Sequence, residues 1–207
     1  MNVDTDSAAD KDKRAKLREI ADEIRAMEES PLYDYRTEND YLPVIGEGDP
    51  EGEIIFIGEA PGREEAETGR PFVGNAGRVL DTLLESIGLE REDVYITNVV
   101  KDRPPSNRDP RAEEIEVYAP FLLRQIEIIE PDVIATLGRF AMDFILEQYN
   151  LPEQGKKIGD LHGKILKAES SYGEVILVPL YHPAAAFYNQ DLEETMKQDF
   201  QTLEQFV

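Results

Sequence analysis

The sequence predicts an α/β protein, a three-layer α/β/α sandwich around a four-stranded, mainly parallel sheet. Three observations carry that expectation. Four short, mostly apolar runs, at 54–57, 94–100, 133–137 and 175–178, suit strands buried on both faces. The segments between them repeat apolar residues every three or four positions, which is the helical period. Strand and helix alternate at short spacing, as they do when helices cover both faces of a parallel sheet.

Residues 1–8 are polar and read as a disordered tail, ahead of a single domain over 9–207. A helix is expected over 9–29, where Leu17, Ile20, Ala21, Ile24 and Met27 share one face; Pro31 ends it. Residues 31–53 are irregular, punctuated by Pro43, Gly46, Gly48 and Pro50. The first strand, 54–57, runs into the loop Gly58-Glu59-Ala60-Pro61-Gly62. A helix over 75–87 carries Val79, Leu80, Leu83, Leu84 and Ile87 in register, and Gly88 stands where a C-terminal glycine belongs. The second strand, 94–100, contains Asn98 and leads to a proline-rich loop over 103–110. A helix over 112–129 stops before Pro131. The third strand, 133–137, is followed by Gly138 and a helix to about residue 148. Residues 150–173 are less regular, with room for a short hairpin. The fourth strand, 175–178, precedes Tyr181-His182-Pro183, and a helix over 191–206 closes the chain.

Composition narrows the function. A chain of 207 residues buries roughly 70% of its unfolded surface without staples. It has no cysteine, which removes disulfides, thiolate zinc sites, cysteine nucleophiles and cysteine-ligated iron–sulfur clusters. With two histidines and no cysteine, a transition-metal site is not expected either. No apolar run approaches the roughly 18 residues of a membrane span, and the polar start lacks a signal-peptide pattern; a cytoplasmic address is expected. The 44 acidic residues outnumber the 22 basic ones, for a net charge of −22. That excess argues against a polyanionic partner, unless the protein works in concentrated salt. Screening then shortens to about 3 Å at molar ionic strength, and local patches outweigh net charge.

In open α/β sheets, sites lie beyond the carboxyl ends of the strands. Those ends deliver the 58–62 loop, Asn98, Gly138 and His182, so a carboxylate, an amide and an imidazole converge on one rim. The chain has no GxxxxGK[ST] loop, no GxGxxG after the first strand, no HExxH and no GxSxG.

Three blocks together resemble the family 4 uracil-DNA glycosylases. The first is Gly58-Glu59-Ala60-Pro61-Gly62, continued by Thr68-Gly69-Arg70-Pro71-Phe72-Val73-Gly74-Asn75-Ala76-Gly77. The second is Thr97-Asn98-Val99-Val100-Lys101, followed by Arg103-Pro104-Pro105 and Asn107-Arg108. The third is His182-Pro183. The resemblance implies an enzyme that flips deoxyuridine out of DNA and hydrolyses its N-glycosidic bond, leaving an abasic site. It implies catalytic roles for Glu59, which would orient or activate water, and for His182, which would donate to uracil O2 as charge builds there. Phe72 matches the aromatic that stacks on the base. Asn98 matches the amide that reads its Watson–Crick edge; cytosine reverses that donor–acceptor pattern. Backbone N–H groups of the loop at Gly58, Ala60 and Gly62 would hold uracil or a phosphate, and Glu65 would lie against C5, where thymine carries a methyl.

Lys101, Arg103 and Arg108, together with Arg63 and Arg70, read either as partners of local acids or as a basic rim for phosphates. Phe187 and Tyr188 fall in the loop that wedges into the duplex in such enzymes. The resemblance also implies an iron–sulfur cluster on four cysteines, but the aligned positions hold Met27, Ser30, Asp102 and Tyr118. No cofactor is therefore expected. Met27 and Tyr118 would fill the space with a sulfur–aromatic contact, and Asp102 would accept from nearby backbone or from Ser30. The expected partner is uracil-containing DNA, with no membrane and no second subunit; nothing in the sequence marks a processivity-clamp contact. Three other readings stay open: a catalytically weak binder of uracil-containing or damaged DNA, a glycosylase with broader deaminated-base specificity, and, more remotely, a hydrolase of free nucleosides.

Overall fold

The computed structural model describes residues 8–189 and 191–207. The expected tail lies outside them except for Ala8, which opens α1 (Ala8–Ala26). Then come α2 (Tyr33–Glu38), β1 (Glu47–Gly48), β2 (Ile54–Gly58), α3 (Arg63–Thr68), α4 (Asn75–Glu85) and β3 (Tyr95–Asn98). The second half adds α5 (Ala112–Ile129), β4 (Val133–Leu137), α6 (Arg139–Gln148), α7 (Ile158–Leu161), β5 (Leu166–Ser170), β6 (Gly173–Leu180) and α8 (Asp191–Gln201). No helix among the described residues is long and apolar enough to cross a membrane.

The sheet runs β1-β3-β2-β4-β6-β5. Its four central strands are the parallel set expected from the apolar runs. The expected count of four is corrected to six, because β1 and β5 add antiparallel edges. Neither edge carries a buried-strand signal: β1 is two residues long, and in β5 only Ala168 is buried.

Alternation along the strands builds two core layers. Ile55, Ile57 and Ile134 face α1, α5 and α6, where Ile20, Ile24, Leu122, Ile126 and Ile145 pack. Ile54, Phe56, Val133 and Ala135 face α4 and α8, and Phe56 stacks on Phe200 with ring centroids 5.7 Å apart. Residue Gly58 pairs with Asn98, and Leu137 with Leu180, so the strands end at one level. The chain departs to opposite sides from β2 and β4, which makes the crevice between them the switch point at which α/β sheets bind ligands.

Helix α1 ends at Ala26, before the expected residue 29, because a buried arginine takes its last carbonyls. Arg36 donates to Ile24 O at 3.2 Å, Arg25 O at 3.3 Å and Met27 O at 3.3 Å. Such orphan carbonyls need partners. The same guanidinium reaches Asp102 Oδ2 at 3.1 Å. Tyr118 donates to that oxygen at 2.5 Å and its hydroxyl also meets Ser30 Oγ at 2.7 Å. Asp102 thus accepts from Tyr118 and Arg36, not from Ser30, which instead accepts from Leu32 N at 3.1 Å. The four positions aligned with cluster ligands carry no thiolate, and three of them are buried and hydrogen-bonded to one another or to Arg36. They do not fit an iron–sulfur cluster. A polar knot joins α1, α2, α5 and the loop after β3 in its place.

Candidate active site

The carboxyl ends of β2, β3 and β6, with α3 and the 72–76 turn, enclose a cavity of about 370 Å³. Glu59, Ala60, Gly62, Glu65, Phe72, Asn98, Arg108, His182 and Tyr188 line it. Nine of the thirteen residues expected at a site therefore meet in one place. Gly58 lies directly beneath the cavity. A Cβ there would sit 2.4 Å from Asn98 Oδ1 and 2.6 Å from Phe72 Cζ, so glycine lets the amide and the ring close over the strand end. Val99 and Val100 donate to Gly58 O and Glu59 O at 2.9 and 3.0 Å, which fastens the loop to the chain leaving β3.

Phe72 is held in the left-handed region, at φ 51°, a costly conformation for an aromatic residue. Arg91, absent from the sequence reading, and Gly77, quoted there without a role, hold it there. Arg91 donates to Pro71 O at 2.6 Å and Phe72 O at 3.0 Å, and is itself fixed by Glu47 at 2.6 Å and Asp81 at 2.9 Å. Gly77 lets α4 approach: a Cβ there would be 1.7 Å from Phe72 O. Glu65 Oε1 accepts from Val73 N at 3.0 Å and Gly74 N at 2.8 Å. Its carboxylate therefore holds the Phe72 turn as well as facing the cavity.

His182 follows β6 and lies with its ring centroid 5.8 Å from that of Phe72. Its Nδ1 accepts from Ala184 N at 3.2 Å, so the proton of the neutral ring belongs to Nε2. Burial holds the ring neutral by lowering its pKa to about 4, against a smaller opposing pull from Glu65. Gly138, φ 91°, leaves room for the imidazole; a Cβ there would stand 3.0 Å from His182 Cβ.

Glu59 behaves oppositely. Burial and then the nearby Asp109 push its carboxyl up to about 7, while Arg139 pulls it down. Arg139 begins α6, 3.9 Å from Asp109, and follows Gly138 at the end of β4; reading one residue past that strand end would have found it. The cavity thus presents a carboxylate that ionises near neutrality and an imidazole that stays a neutral donor, two groups whose environments push them apart as acid–base pairs require.

The expected phosphate contacts fare unevenly. Lys101 is corrected: it is 0% exposed and reaches no solvent, because its amine turns inward to three acceptors from the protein. Arg103 donates to Tyr41 OH at 2.6 Å and Asn107 Oδ1 at 2.7 Å, half-buried near the cavity mouth. Arg108 faces the cavity but spends its guanidinium on Glu114, at 2.5 and 2.9 Å, where Glu114 also caps α5 through Arg111 N. Arg63 and Arg70 pair with Glu67 and Glu47 at 2.7 Å each. Phe187 and Tyr188 are both exposed, and Tyr188, 90% exposed, lines the cavity while Phe187 does not.

Comparison with known proteins gives the family. The model of the uracil DNA glycosylase superfamily matches residues 45–204. The chain is 45% identical to a type-4 uracil-DNA glycosylase of Archaeoglobus fulgidus, over 90% of this chain and 91% of that one. It is 43% identical to the type-4 uracil-DNA glycosylase of Sulfurisphaera tokodaii, over 92% and 84%. The corresponding protein of Saccharolobus solfataricus is 45% identical over 90% and 84%.

Proposed function

The chain belongs to the uracil-DNA glycosylase superfamily, among its type-4 members, and we propose that it hydrolyses the N-glycosidic bond of deoxyuridine in DNA. Uracil leaves and an abasic site remains. The observation that carries this reading is the meeting of Glu59, Phe72, Asn98 and His182 on one cavity at the switch point of the sheet.

The transition state separates charge into a cationic sugar and an anionic base. Phe72 stacks on the extruded base, supplying about 1–3 kcal/mol. Asn98 accepts from uracil N3–H and donates to O4, so cytosine leaves buried groups unpaired. His182 Nε2–H donates to O2, a preorganised dipole aimed where negative charge develops. Ionised Glu59 orients the water and favours the sugar cation. Among the described residues no lysine lines the cavity, so no Schiff base forms and the strand is not cut. Arg103 and Arg139 meet phosphates at the rim, and Tyr188 with Phe187 props the duplex open. The protein acts as a monomer, in the cytoplasm, on uracil-containing DNA. Its acidic surface suits concentrated salt.

The test uses three oligonucleotides that differ only in carrying uracil, cytosine or thymine at one position. Alkali-labile sites are expected with uracil alone. Equal cleavage of cytosine would contradict the role of Asn98, and a cut strand before alkali would contradict simple hydrolysis.

A further inference from the structure

Lys101 is a fully buried amine with no carboxylate against it among the described residues. Its Nζ lies 2.7 Å from Thr97 Oγ1, 2.7 Å from Asn98 O and 2.6 Å from Gln125 Oε1. Burial pulls its pKa well below the usual lysine value, and no neighbouring charge opposes that pull.

The hydrogen bonds nevertheless define its proton count. Ile45 O, a carbonyl that can only accept, receives Thr97 Oγ1 at 2.7 Å and Gln125 Nε2 at 3.0 Å. The Thr97 proton and the Gln125 amide protons therefore point away from Lys101. Thr97 Oγ1, Gln125 Oε1 and Asn98 O all turn lone pairs toward Nζ. Three acceptors match the three protons of an ammonium. A neutral amine would set its own lone pair against an oxygen.

We infer that Lys101 is a positioning residue for base excision: a buried ammonium that clamps the Asn98 carbonyl at the end of β3 and places a fixed positive charge beneath the departing base. A charge left without a counter-ion is costly, and in a water-poor site its field acts over a longer range than in solvent. The leaving base becomes an anion on the far side of the Asn98 peptide unit, so the field strengthens as the bond breaks. Thr97 and Gln125 hold the ammonium without neutralising it, which a carboxylate in either place would do. The inference rests on the proposed reaction.

The test compares wild type with Lys101→Met in single-turnover release of uracil and of 5-fluorouracil from otherwise identical oligonucleotides. Fluorine withdraws ring electron density, so the 5-fluorouracil anion departs with less help. Lys101→Met is expected to lose about tenfold or more on uracil and distinctly less on 5-fluorouracil, with DNA affinity unchanged. Equal losses on the two bases, or no loss, overturn the inference, since a purely structural lysine affects both alike. Should the variant not fold, the wild-type protein decides: the ¹⁵Nζ resonance of Lys101, assigned through its contacts with Thr97 and Gln125, is expected to be that of an ammonium at pH 7, and an amine signal overturns the inference. Wild type that releases neither base sinks the proposed reaction itself, and the inference with it.

Discussion

Tyr118 donates its hydroxyl to the Asp102 carboxylate at 2.5 Å, across the seam between α5 and the loop after β3. The carboxylate also holds Arg36, and through Arg36 the end of α1. In this chain hydrogen bonds and one buried ion pair join segments that the family resemblance would join by metal ligation.

That knot has a measurable worth. Asp102→Ala leaves the buried Arg36 guanidinium without its charge partner, and is expected to lower unfolding stability by about 3–5 kcal/mol. Tyr118→Phe removes one donor and is expected to cost about 1–3 kcal/mol. Urea denaturation of both variants checks this. Losses under 1 kcal/mol for Asp102→Ala would show that the seam is held by apolar packing alone.

The Glu59 carboxyl is expected to set the pH dependence. With its pKa raised to about 7, the ionised fraction and the excision rate are expected to rise through pH 7, and Glu59→Gln is expected to flatten that limb. Stability runs the other way. Below about the ordinary value of 4.5 both folded and unfolded states are protonated and nothing is lost. From there to about 7 the unfolded chain ionises first, so folding weakens as pH rises. Glu59→Gln should therefore melt higher than wild type at pH 8 and no higher at pH 4.

His182 is expected to stay neutral, with Nδ1 accepting from Ala184, across the working range. Its ¹⁵N resonances should show a protonated Nε2 and no titration between pH 5 and 8, because its pKa is lowered to about 4. His182→Ala is expected to slow excision about 10²–10³-fold. An imidazolium at pH 7 would contradict the donor role described for it.

Salt should act in reverse of the usual sense. Binding of a basic protein to DNA weakens as salt rises, because released counterions drive it. At a net charge of −22 the dominant long-range force is repulsion, which molar salt confines to about 3 Å. The KM for a uracil oligonucleotide is expected to fall between 0.1 and about 2 M KCl. A steady rise over that range would remove the halophilic reading.

The parallel centre of the sheet was legible because its strands are buried on both faces, leaving apolar runs such as the unbroken 54–57. Helix α5 was legible end to end, with its apolar stripe and Pro131. The edges were not: β5 is Leu-Lys-Ala-Glu-Ser, and its pairing depends on β6, not on its own pattern. The site split similarly. Glu59, Asn98 and His182 stand at strand ends, where topology alone directs attention. Arg91 sits in a run of charges that reads as a solvated turn, and only the fold brings it to the Phe72 carbonyl. Lys101 was misread because a charged side chain after a strand signals solvent; the three acceptors that draw it inward lie 3, 4 and 24 residues away.

The most direct test of the whole account is free uracil released from a uracil-containing oligonucleotide, measured at low and molar salt for wild type and Asn98→Asp. Wild type is expected to release uracil and leave an uncut, alkali-labile strand. Asn98→Asp is expected to fall at least about 100-fold, because a carboxylate cannot donate to O4. No uracil release by wild type at any salt concentration, or undiminished release by Asn98→Asp, would contradict it.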